Sequence, residues 1–289
     1  MVYEEAVFTM TNIGSANLHI TGRCNYHCGF CFDKNLKRST MTPEEWEPIL
    51  RKLKEEGVTK VNFAGGEPTM HPQFIELCRL TKSMGFTVSV ISNGSRIDYK
   101  LIKEMKGAVD WIGLSVDSPL NEVEKVVGRC CKGINHIDNI IKVADTAHEN
   151  GIKVKLNITV IRQSWKQDFS ALIRRVNPER AKAFRVLRIE GENGDRFHEY
   201  SLTEEEWGYF ANNHRDILLR NGEKVKLEDE DDMIDSYSML DPRGRIMLNS
   251  ENRLSFIPFD VIALKGLTAV VNAEKYHKRG AVYDWGSSL

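Results

Sequence analysis

Cysteine is scarce in this chain, six among 289 residues, and the scarcity excludes the disulfide-dense scaffold of a small secreted domain. A reduced, cytoplasmic setting is the expectation. Long apolar runs are missing too: none approaches the roughly 18 residues that a membrane helix needs. No basic stretch followed by an apolar one opens the chain as a secretory signal would. No long amphipathic segment precedes Asn12, so no membrane attachment is expected. Neither sign of charge prevails: 40 Lys and Arg against 41 Asp and Glu leave a net charge of -1, which argues against a nucleic-acid polymer as partner but leaves room for a local basic pocket. Internal repeats, low-complexity linkers and the glycine-rich P-loop signature ending in Gly-Lys-Ser/Thr are also absent, so the chain carries no P-loop nucleotide site.

What the chain does have is rhythm. From Thr59 onward, short strand-like runs alternate with longer amphipathic stretches. "KVNFAGGEP", "FTVSVISNG", "WIGLSVDS", "NGIKVKLNITV" and "AKAFRVLRI" read as strands apolar on both faces. Between them lie helical stretches over 72–84, 138–149 and 165–175, with a short one ending near Gly107. Ahead of them "MTPEEWEPILRKLKEEG" offers Thr42 as cap, Pro43 at the first helical position and Gly57 as stop. The alternation predicts an α/β fold, a parallel sheet covered by helices through right-handed crossovers, with its ligand loops at the carboxyl ends of the strands. After Tyr200 the rhythm changes. "SLTEEEWGYFANNHRDILL" reads as a helix capped through its serine and a glutamate three residues on, and "SYSMLDPRGRIML" as a hairpin around Pro242 and Gly244. The expected division is 1–200 for the barrel and 201–289 for a carboxyl-terminal extension packed on it.

Three of the six cysteines, Cys24, Cys28 and Cys31, stand together in "CNYHCGFCF". Three thiolates within eight residues can wrap a small metal centre and leave one coordination position open. Two readings follow from spacing alone: a structural zinc with His27 as fourth ligand, or iron and sulfide with one iron left free.

With this motif the chain resembles the radical S-adenosylmethionine (SAM) superfamily and, within it, the viperin family of antiviral nucleotide-modifying enzymes. "NFAGGEPT", "SNGS", "SVDS", "IEGENGD" and "DSYSMLD" continue the match in order along the chain. The resemblance implies a partial (β/α)6 barrel and a 4Fe-4S cluster on Cys24, Cys28 and Cys31, whose fourth iron takes the amine and carboxylate of SAM. It implies a SAM pocket formed by Gly65, Gly66, Glu67, Asn93, Ser115 and Arg129, where two glycines allow close backbone approach, Glu67 accepts from the methionine amine and Arg129 forks its carboxylate. Lys60, Lys155, Arg180 and Lys182 fall on positions that grip a nucleotide triphosphate, Asn17 on one near the ribose, and Tyr237 on one that reaches the reaction centre, either hydrogen-bonding phosphate or assisting transfer to a radical. The implied reaction is radical dehydration of a ribonucleoside triphosphate, CTP foremost and UTP or GTP next, to a chain-terminating 3'-deoxy-3',4'-didehydro nucleotide. The rival activity is a radical reaction on a peptide; the non-enzymatic rival is a zinc-organised interaction module. An external one-electron donor and the iron–sulfur assembly machinery are the implied partners of a monomeric enzyme.

Two departures from the family pattern stand out. Ala64 replaces a serine carried by the animal enzymes, and Trp285 is near the end of the chain rather than at it, which leaves the route of cluster delivery open.

Overall fold

The computed structural model describes residues 13–36, 39–283 and 285. The segment up to Asn12 and the residues that follow Trp285, both addressed above, lie outside this range. Six parallel strands pair in chain order: β1 (Ser15–Thr21), β2 (Lys60–Gly65), β3 (Thr87–Ser92), β4 (Trp111–Val116), β5 (Lys153–Val160) and β6 (Arg180–Arg185). The crossovers carry α1 (Pro43–Glu55), α2 (Phe74–Ser83), α3 (Tyr99–Met105), α4 (Asn121–Val126), α5 (His136–Glu149) and α6 (Ser170–Val176). This is the partial (β/α)6 barrel expected, and β1, which no sequence run flagged, is its first strand.

The remaining chain extends the sheet at both edges. After α7 (Glu204–His214), β7 (Lys226–Glu228) joins β6 in parallel. Then, past α8 (Glu230–Met233), β8 (Met239–Leu240) joins β1 in parallel, and β9 (Ile246–Leu248) and β10 (Ser255–Ile257) follow antiparallel. α9 (Asp260–Lys265) and α10 (Ala273–Lys278) complete the extension. The hairpin turn is closed by Asp241, whose carbonyl accepts from the Gly244 amide at 2.9 Å.

Local signals explain most boundaries. Thr42 and Glu45 form a capping box on α1, with Pro43 at its first position. The serine cap expected for α7 is corrected: Thr203 and Glu206 form the box, two residues later, because their side chains and amides bond reciprocally. The helix expected over 72–84 is α2, and a 3-10 turn at Pro68–Met70 precedes it.

A second correction concerns the faces of the strands. In β2, Val61 and Phe63 are fully buried in the apolar core while Lys60 and Asn62 line a cavity on the opposite face. In β5, Val154, Leu156 and Ile158 alternate in the same way with Lys155 and Asn157. Only the helix-facing side is apolar; the inner face is polar, a period-2 pattern imposed by the pleat.

Candidate active site

The cysteine loop leaves the carboxyl end of β1 and is gripped from two sides by glycine. Gly65 (φ 132) and Gly66 bring β2 against the backbone of Thr21 to Cys24, where the Gly66 amide donates to the Thr21 carbonyl at 2.8 Å and the Glu67 amide to the Arg23 carbonyl at 2.7 Å. On the other side Gly128 (φ 83) lies against His27, and the His27 amide donates to its carbonyl at 3.0 Å. A Cβ at Gly66 or Gly128 would penetrate a backbone carbonyl, so these positions require glycine. Asn193 of the "IEGENGD" run holds the far end of the loop, donating to the Phe30 carbonyl at 2.8 Å.

Cys24 is exposed, Cys31 half-buried and Cys28 buried. Burial pushes the Cys28 thiol up to about 12 and raises Cys24; Cys31 is raised further by burial and by Asp33, which accepts its hydrogen at 2.9 Å. His27 is exposed, and among the described residues no three Cys, His, Asp or Glu side chains converge on one point as ligands of a single ion would. The donor set of three soft thiols spread around one loop fits a cluster, whose thiolates bind separate irons, better than a lone zinc.

Around this rim lie the residues expected to hold SAM. Glu67 is fully buried and its carboxylate already accepts from the Thr69 amide (3.2 Å) and hydroxyl (2.7 Å), the Ser92 hydroxyl (2.8 Å) and the Asn93 amide (2.8 Å). It braces the turns after β2 and β3, and a methionine amine would be a further donor to it. Asn93 stands 4.0 Å from the Cys24 sulfur and donates to Asn25 at 3.0 Å. Arg129 pairs through Nε with buried Asp117, while its terminal nitrogens make no hydrogen bond among the described residues. Sequence reasoning missed a link here: His136 donates through Nε2 to the Ser115 carbonyl at 3.0 Å and accepts from the Tyr26 hydroxyl at 3.2 Å, tying the cysteine loop to β4. Burial first, then Arg129, holds His136 down to about 3, so its imidazole is neutral.

Beneath the rim a cavity runs down the polar inner face. Lys60, Lys155, Arg180 and Lys182 occur in the amino-terminal halves of their strands, so the cations lie deep in the barrel and the cysteines at its top. Register assembles them: Gly113, Lys155 and Arg180 are neighbours across three strands, as are Ser115, Asn157 and Lys182. All four cations are buried. Lys60 bonds the Tyr283 hydroxyl and sits among the rings of Tyr283 (4.4 Å), Trp111 (5.1 Å) and Trp285 (5.2 Å). Arg180 lies 3.8 Å over Tyr283 and donates to the Gly280 carbonyl at 2.8 Å. Lys155 has no ion pair or hydrogen bond among the described residues; burial, then Lys182 and Arg180, bring it down to about 7. Lys60 is held well below its ordinary value by burial and the same neighbours, and Lys182 is brought down to about 8, chiefly by burial.

Asn17 and Tyr237 line this cavity with Asn62, Asn157 and the previously unflagged Arg279, which is buried at the end of α10. The side-chain oxygens of Asn62 and Asn157 are buried without a hydrogen-bond partner. Orphaned amides and an excess of confined ammonium and guanidinium groups suit a polar, strongly anionic ligand.

The Radical SAM superfamily profile matches residues 18–176. The S-adenosylmethionine-dependent nucleotide dehydratase of a Thermoplasmatales archaeon is 47% identical over 272 residues, spanning 94% of this chain and 96% of that protein. The proteins of the same description from Flammeovirga pacifica and Danio rerio are 31% and 32% identical, over 94% and 84% of this chain and 96% and 69% of their own lengths. Among solved structures, Streptococcus suis SuiB bound to S-adenosylmethionine superposes with a TM-score of 0.68 at 17% identity, over 92% of this chain and 68% of that one. Native anSMEcpe with bound AdoMet gives 0.66 at 18%, over 91% and 82%. These two share the fold. No helix among the described residues is long and apolar enough to cross a membrane.

Proposed function

This chain is an enzyme that belongs to the Radical SAM superfamily, closely related to the viperin-type nucleotide dehydratases, and we propose that it dehydrates a ribonucleoside triphosphate to the 3'-deoxy-3',4'-didehydro nucleotide. CTP is the first candidate, with UTP and GTP the alternatives. The observation that carries this reading is the deep cavity that Lys60, Lys155, Lys182 and Arg279 line under the cysteine rim, with Arg180 stacked on its Tyr283 wall. A peptide substrate would call for a long open cleft instead.

Cys24, Cys28 and Cys31 would hold the 4Fe-4S cluster, and Gly65, Gly66, Glu67, Asn93, Ser115 and Arg129 would hold SAM, with the free terminal nitrogens of Arg129 turned to its carboxylate. When bound, the two groups supply a one-electron cleavage of SAM that yields a 5'-deoxyadenosyl radical. The protein's share is placement. The cations anchor three phosphates at the bottom of the barrel, so that the ribose stands above them beside Asn17 and Tyr237 with its 4' carbon toward the rim. Removing water across the 3' and 4' carbons consumes one proton and one electron after the 4' hydrogen has gone, so an external electron donor is required. The product lacks a 3' hydroxyl and would terminate polymerase extension, an antiviral outcome.

The test is anaerobic reconstitution followed by incubation with each of the four ribonucleoside triphosphates under reduction. About four irons and four sulfides per chain, and one triphosphate that stimulates 5'-deoxyadenosine release while being dehydrated, are expected. Zinc in place of iron, or release indifferent to every triphosphate, would overturn the proposal.

A further inference from the structure

Glu228 ends β7, is fully buried, and belongs to none of the motifs above. Its two carboxylate oxygens are divided between two cavity-lining residues: one accepts from the Lys182 ammonium, the other from the Tyr237 hydroxyl. Arg279 backs the arrangement, its guanidinium 3.6 Å from the centre of the Tyr237 ring and its Nε donating to the Ser236 carbonyl at 3.1 Å.

We infer that Glu228 is a positioning residue of the substrate site: it fixes Lys182 in place as a cation and takes the only hydroxyl hydrogen of Tyr237, so that Tyr237 meets the substrate as a hydrogen-bond acceptor. The inference deepens the proposed function and rests on it. A phenol carries one hydrogen and two lone pairs. With the hydrogen committed to Glu228, what remains for the cavity is a lone pair, which repels phosphate oxygens and accepts from a sugar hydroxyl. Tyr237 is thereby assigned to the ribose, not to the phosphates.

The Lys182 half follows from its surroundings. Asn157 and Lys155 face it from β5, Lys226 is its register neighbour on β7, Arg180 and Phe184 flank it on its own strand, and Arg279 and Tyr237 come from the extension. Glu228 is the carboxylate that pairs with it. Burial alone would raise the Glu228 carboxyl, but Lys182 and Arg279 hold it below its ordinary value, so it stays ionised at neutral pH. Without that counter-charge the Lys182 ammonium would be an unpaired buried ion among like charges and would shed its proton more readily.

The experiment is calorimetric binding of inorganic tripolyphosphate and of CTP to reconstituted, unreduced enzyme between pH 6.5 and 8.5. Between pH 7 and 8 the native enzyme loses up to about tenfold in tripolyphosphate affinity as Lys155 discharges, and Glu228→Gln loses up to about a hundredfold because two ammonium groups discharge together. Glu228→Asp, which keeps the charge and guards against a folding defect in the amide variant, restores the shallower slope. Tyr237→Phe leaves tripolyphosphate affinity unchanged and weakens CTP about tenfold, a lost hydrogen bond that strands a buried donor. A Glu228→Gln curve merely parallel to the native one overturns the Lys182 half, and equal weakening of both ligands in Tyr237→Phe overturns the Tyr237 half. Failure of the native enzyme to bind either ligand would instead overturn the substrate reading on which both depend.

Discussion

At the top of the barrel, Gly65, Gly66 and Gly128 let one stretch of backbone lie directly against another, and the cysteine loop is held by amides and carbonyls. A few residues deeper, nothing comparable holds the cations: Lys60, Lys155 and Lys182 project from three different strands into a common space, and only some of them have partners. The rim is rigid because its geometry is set by chain contacts that no side-chain motion relieves. The cavity below stores unfavourable charge that a ligand of opposite sign would relieve. The rim is therefore sensitive to added bulk and the cavity to lost charge.

The largest break in this contrast comes from Gly128→Ala. The position combines a left-handed backbone with a Cβ that would enter the His27 carbonyl, so a cost of about 2–4 kcal/mol is expected. Iron bound after reconstitution should fall from about four per chain to nearly none, measured by metal analysis beside a thermal melt. Lys155→Met makes the converse change. It removes an unpaired buried cation while keeping the volume, so it should raise metal-free stability by about 1–3 kcal/mol and leave iron content unchanged. Its triphosphate affinity should nevertheless drop about 10- to 100-fold, the worth of a charge-assisted contact, as read by calorimetry.

The two regions also differed in how far their residues could be read in advance. Cys24, Cys28, Cys31 and the "GGEP" turn are contiguous, and their local sequence carries the geometry they adopt. Gly128 and the Tyr26–His136 link were not legible, since each depends on a contact more than ninety residues away along the chain, as the 100 between Cys28 and Gly128 illustrates. The cavity lysines were named through resemblance, yet a physical signal was available. "KVNF", "KVKLN" and "RAKAF" alternate cations with apolar residues in strands whose apolar face helices must cover, so every cation must point inward. Arg279 and Glu228 carry no such signal. They belong to the extension, whose short strands join opposite edges of the sheet, and their convergence is a property of topology rather than of spacing.

Acidity offers a smaller test of the same contrast. Lys155 titrates near 7 and Lys182 near 8 in the folded protein, and both near about 10.4 when unfolded. Between these limits the unfolded chain binds more protons, so the metal-free protein gains stability as pH rises above 7, by up to about 1.4 kcal/mol per pH unit for each lysine. Triphosphate binding needs the ammonium form and weakens over the same window. Thermal melts and calorimetry from pH 6.5 to 9 should therefore move in opposite directions, and Lys155→Met should flatten both curves. Curves that rise or fall together would mean that the cavity cations do not govern either property.

The smallest effect separates glycine used at the rim from glycine used in the cavity. Gly113 of β4 lies beside Lys155, and a Cβ there would stand 3.2 Å from the Lys155 Cε and 3.2 Å from the Asn157 amide nitrogen. Both neighbours are side chains, and the lysine stem can swing by a few tenths of an ångström, whereas the His27 carbonyl facing Gly128 cannot. The backbone of Gly113 is ordinary strand, in which alanine costs no strain and gains from the reduced freedom of the unfolded chain. Gly113→Ala should thus keep its iron and its melting temperature, and lose only about two- to fivefold in triphosphate affinity as the displaced ammonium meets its phosphate off-centre. A loss of cluster in Gly113→Ala comparable to that in Gly128→Ala would show that rim and cavity are one mechanical unit, and the distinction between them would fall.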